Sequence, residues 1–170
     1  QKLSELLNTD YMGINQAEEG LMQREEARQR SIEIVQAAGF DLEQMPYVSL
    51  GSKGGWNGWE VRVSQIPGDE QRTPGVMLDL ANDGAVRYME YLGEPTEAAI
   101  GAAISEQRAQ EIALAFMTQY VDAEGEAACT AQAEDSHWKV TFEGQADQQP
   151  CEVWIDNQTG AVLLVETFTR

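Results

Sequence analysis

The feature that most constrains this chain is a strand pattern that occurs twice. Trp59-Glu-Val-Arg-Val and Trp138-Lys-Val-Thr-Phe each place an apolar side chain at every second position, the period of a strand with one buried face. They lie 79 residues apart, and the glycine turns Asp83-Gly84-Ala-Val and Thr159-Gly160-Ala-Val lie 76 apart. Two offsets this close, over corresponding segments, are the mark of an internal repeat. Further alternating runs fall around each: Tyr47 to Leu50, Val76 to Leu80 and Val86 to Tyr91 in the first half, and Cys129 to Ala133, Cys151 to Ile155 and Ala161 to Phe168 in the second. Asn82-Asp83-Gly84 reads as a hairpin turn, because all three residue types tolerate positive φ.

Each block is preceded by a helical stripe. Ala27, Ile34, Val35 and Ala38 share one helical face between Arg24 and Ala38, and Gly39 is placed to end the helix. Ala109, Ile112, Ala113, Phe116 and Tyr120 do the same from Glu106 to Tyr120, behind Ser105 as N-cap. The sequence therefore predicts an α+β fold of two tandem units, each one helix packed on an antiparallel sheet of about four strands. Residues 1–22 form a lead-in segment, 23–93 the first unit and 102–170 the second, with Pro95 and two glycines breaking both periodicities between Gly93 and Gly101.

Charge narrows the partners. With 29 acidic and 11 basic residues the net charge is −18, which repels nucleic acid and anionic lipid and favours a basic protein surface or bound cations. No apolar stretch is long enough to cross a bilayer as a helix, so direct membrane insertion is not expected. The opening residues lack the basic and apolar regions of an export signal, which agrees with a mature piece of an exported protein. Cys129 and Cys151 are the only cysteines. They admit two readings, a disulfide in an oxidising compartment or two buried thiols serving as small apolar residues.

The second block, Ile104-Ser105-Glu106-Gln107-Arg108-Ala109-Gln110-Glu111-Ile112-Ala113, then Trp138-Lys139-Val140, then Val153-Trp154-Ile155-Asp156-Asn157-Gln158-Thr159-Gly160-Ala161-Val162, resembles the PepSY domain family. The first block resembles a divergent copy, with Leu80 where the second has Asp156. The resemblance implies a helix on an antiparallel sheet, an extracytoplasmic location and a role in restraining peptidases or organising envelope proteins. It implies no catalytic residues.

Other constellations read as structure. Asp135-Ser136-His137 holds the residue types of a hydrolase triad, but consecutive residues in a turn do not converge. Cys129 with His137 would need an electropositive setting that this acidic chain does not offer. Asp79, Asp83, Gly84 and Glu90 match four positions of a calcium loop, yet Ala81 stands where a ligand oxygen is required. Gly51-Ser-Lys-Gly-Gly lacks the order of a phosphate cradle. The remaining candidates are Trp56 and Trp59, in or beside a glycine-rich stretch, where an aromatic offers a large contact at low entropic cost. The expected function is a non-enzymatic, extracytoplasmic protein-binding or regulatory module without cofactor or metal, acting on a protein such as a peptidase. The alternatives are an acidic binder of cations or small ligands and, third, an enzyme with a carboxylate site.

Overall fold

A computed structural model describes residues 21–52, 58–67, 74–94, 103–121, 128–143 and 150–167. Helix α1 (Arg24–Ala37) leads into strands β1 (Tyr47–Ser52), β2 (Trp59–Ser64), β3 (Gly75–Leu80) and β4 (Val86–Tyr91). Helix α2 (Glu106–Phe116) runs on through a π-helical turn (Met117–Val121) to β5 (Cys129–Ala133), β6 (His137–Phe142), β7 (Cys151–Asp156) and β8 (Val162–Thr167).

The local signals act as the sequence requires. The Ser105 side chain accepts a hydrogen bond from the Arg108 amide at 3.1 Å and caps α2. After α1, Gly39 takes φ +100°, and its amide returns to the Gln36 carbonyl at 3.0 Å, closing the helix end. Gly84 and Gly160 sit at φ +85° and +77° in the β3–β4 and β7–β8 turns. In the second turn the buried Asp156 carboxylate accepts the amides of Gln158 and Thr159 at 2.8 and 3.0 Å.

The expected division into two helix-on-sheet units is overturned. All eight strands form one antiparallel sheet in the order β1-β2-β3-β4-β8-β7-β6-β5, and β4 pairs directly with β8 through Tyr88↔Glu166, Met89↔Val165 and Glu90↔Leu164. The buried stripe does not stop at that seam. Val61, Leu78, Met89, Val165, Val153 and Val140 follow one another strand by strand across the sheet, and all are at most 3% exposed. Residues of both helices join them in a single hydrophobic cluster. The physical reason is edge energetics: a sheet ending at β4 would leave a row of unpaired backbone groups there, and β8 satisfies them. Arg30 of α1 stacks over the Tyr120 ring beyond α2 at 5.0 Å, and the Val162 amide donates to Ala38 at 2.8 Å, so contacts cross the seam on the helical side as well.

Two tryptophans anchor the segments that enter the helices. Trp59 Nε1 donates to the Met22 carbonyl at 2.9 Å, and Trp138 Nε1 to that of Ile104 at 3.1 Å.

Candidate functional site

Strand alternation decides what remains outside the core. With Val61, Leu78, Met89, Val165, Val153 and Val140 turned toward the helices, their neighbours turn the other way. That opposite face carries Glu60 and Arg62 on β2, Met77 and Asp79 on β3, Tyr88 and Glu90 on β4, Glu166 on β8, Glu152 and Trp154 on β7, and His137 and Lys139 on β6, all half-buried. Neither described helix lies on this side.

Its most ordered part is centred on β6 and β7. The His137 ring stacks on Trp154 with centroids 4.2 Å apart and planes at 17°. Trp154 Nε1 donates to the Glu152 carboxylate, whose other oxygen lies 3.8 Å from Lys139 Nζ. Burial lowers the His137 pKa below its ordinary value and Lys139 acts in the same sense, while Glu134, Glu152 and Asp135 pull it back up. Beside this group, on β4, Tyr88 donates to Glu90 at 2.6 Å; burial, that bond and the charges of Glu90 and Glu166 push its phenol far above the usual range. Glu152 and Glu166 are direct cross-strand partners, a like-charge pair that costs stability. The platform is aromatic, hydrogen-bonded and acidic.

Chemistry does not converge on it. The sole histidine opens a strand rather than lying in the turn where the sequence placed it; the turn is Asp135-Ser136, closed by the Glu134 amide on the His137 carbonyl at 2.9 Å. Cys129 pairs with Phe142 at the far end of β6 from His137, so no thiol–imidazole pair exists. Among the described residues no group of three or more His, Cys, Asp or Glu is arranged to hold a metal ion. The Asp79–Glu90 segment is the β3–β4 hairpin, with Asp79 on a strand and the Asp83 carboxylate accepting the Ala85 amide at 2.9 Å.

The sequence candidates fare differently. Trp59 is completely buried and belongs to the core, which corrects its reading as a partner contact: its alternation with Val61 and Val63 turns it inward, and the Met22 carbonyl takes its one polar group. Trp56 lies outside the described residues. Both cysteines are free thiols, Cys129 half-buried and Cys151 buried. Each faces Phe142 across its ladder, from β5 and β7 respectively. Two strand spacings, about 10 Å, exceed the reach of a disulfide. Burial pushes the Cys151 thiol up to about 12 and raises that of Cys129. Sequence reasoning passed over His137, Lys139, Glu152 and Trp154 as a group, although their alternation on two runs already placed them on one face.

The large exposed apolar side chains among the described residues are Ile66 and Leu114, one after β2 and one on α2. The chain matches no family model, and comparisons with curated proteins and with solved structures find no similar chain.

Proposed function

We propose that this protein is a non-enzymatic binding module that docks another protein on the face of its sheet that neither described helix covers, with the His137–Trp154–Glu152–Lys139 platform at the centre of contact. The observation that carries the reading is that platform: a large aromatic held in one orientation by a stacked ring and a hydrogen bond, on a face that neither described helix covers. An aromatic held in this way loses little freedom on binding and offers the area of an interface anchor. The net charge of −18 favours a partner with a basic surface. The PepSY-like residue pattern supports an extracytoplasmic partner, with a peptidase as the first class to try.

The test is affinity capture from native envelope extract with the intact chain, followed by calorimetry on the recovered partner. Trp154→Ala is expected to weaken binding by about 1–3 kcal/mol and to leave the unfolding midpoint close to wild type. Recovery of no specific partner, or unchanged affinity in Trp154→Ala, defeats the reading. Trp56→Ala in the same assay tests the aromatic in the glycine-rich stretch.

A further inference from the structure

Among the described residues the sheet is bordered by β1 and β5, and the two border strands differ in burial. In β1, Val48, Leu50, Gly51 and Ser52 are all buried. In β5 no residue is fully buried: Thr130, Gln132 and Ala133 are exposed, and Cys129 and Ala131 are half-buried. Cys129-Thr-Ala-Gln-Ala133 carries no charge, no proline and no bulge in its pairing with β6, three of the devices that blunt an edge.

The direction of the backbone groups follows from the ladder. The Glu143 amide donates to the Ala128 carbonyl at 3.2 Å and the Glu134 amide to that of His137 at 2.9 Å, so even-numbered positions of this segment face β6. Antiparallel alternation then points the backbone groups of Cys129, Ala131 and Ala133 away from the sheet. Those same residues turn small side chains toward the α2 side, and Thr130 and Gln132 lie on the open face. Acidic residues stand at both ends, with Glu134 and Asp135 beyond one and Glu143 beside the other, all exposed. Lys139, the cation on the adjacent strand β6, is paired with Glu152.

We infer that the β5 edge takes up an extended, basic segment of a partner protein as a ninth strand, hydrogen-bonded to Ala131 and Ala133, with its apolar side chains toward α2 and its Lys or Arg residues toward the open face. Charge selects this occupant over a second copy of the chain, since two edges flanked by carboxylates on bodies of −18 repel. The inference deepens the binding-module reading, because the added strand would lie alongside the face already proposed to dock the partner.

The probe is a fluorescein-labelled peptide of alternating Lys and Val, read by anisotropy with the intact chain. Saturable binding is expected, with at least a tenfold loss for the Glu–Val counterpart. Ala131→Pro deletes an outward N–H without touching the β6 ladder and is expected to weaken binding tenfold or more; Ala131→Ser, which keeps the N–H, is expected to bind as wild type. Two further peptides, N-methylated at odd or at even positions, need no protein variant: a single-edge ladder tolerates one set and rejects the other. Equal binding of both methylated sets, equal binding of the acidic peptide, or no binding at all overturns the edge assignment. A captured partner that binds Ala131→Pro as tightly as wild type also overturns it and leaves the open-face reading standing, whereas loss with Ala131→Pro but not with Trp154→Ala supports the edge and defeats the face.

Discussion

At the scale of single residues, the same side-chain type does opposite work according to strand parity. Trp59 and Trp154 both sit on strands beside acidic neighbours, yet the first is sealed in the core and the second lies half-buried on the open face. Trp59→Phe keeps most of the buried ring but leaves the Met22 carbonyl without its indole donor; a loss of about 1–3 kcal/mol is expected in denaturant unfolding. His137 gives a prediction with a definite sign. Burial lowers its folded pKa below the ordinary 6.5, so the unfolded chain takes up the proton first as pH falls. The stability held by neutral His137 is therefore complete above about 6.5 and is lost as pH drops below it. Thermal midpoints of wild type and His137→Gln, compared from about pH 7.5 to about pH 5, should show the wild type losing ground to the variant on acidification. A constant difference would contradict this. The thiols make a third case: with Cys151 pushed up to about 12, a disulfide reagent at neutral pH should leave it unlabelled in the folded protein and label both cysteines once the chain is unfolded.

At the scale of elements, most of the helix and strand positions are legible because their signals are local. The Ser105 cap, the Gly39 stop, the Gly84 and Gly160 turns and the alternation of eight runs all act over a few residues, and all are realised in the structure. The π-helical turn after Phe116 was not legible, since Tyr120 still fits the spacing of the helical stripe. Nor was the need for glycine at position 58, just before β2. Gly58 has φ +130°, and a Cβ there would lie 1.8 Å from the Leu80 carbonyl oxygen, a contact made by a strand distant in sequence. Gly58→Ala is expected to destabilise by about 3 kcal/mol or more, since positive-φ strain adds to a backbone clash. Gly160→Ala, which meets only the flexible end of Ile112 at 3.1 Å, should cost about 1–2 kcal/mol. Chemical denaturation of the two variants side by side checks the order.

At the scale of the whole molecule, the sequence pattern foretold how many strands form but not that they would share one sheet. Nothing in Val86 to Tyr91 or Val162 to Thr167 names the other as partner; the choice is made by two edges that each need covering. A continuous core then makes unfolding cooperative. Calorimetry should show one transition whose calorimetric and van't Hoff enthalpies agree, and two resolved transitions would contradict the shared cluster. Added salt should raise the midpoint by screening the self-repulsion of −18. The three-pair seam between β4 and β8 also has a consequence for synthesis. Strands β1 to β4 emerge from the ribosome in order and can pair through nearest-neighbour hairpins, but β4 must wait for a partner made about 70 residues later. At cellular elongation rates that delay is on the order of ten seconds. For that interval the nascent chain exposes along β4 a border that the finished protein covers with β8, so crowded polysomes are where this chain is most apt to join its neighbours through it, and Arg87 and Glu90 are the charges set on the waiting strand against such pairing.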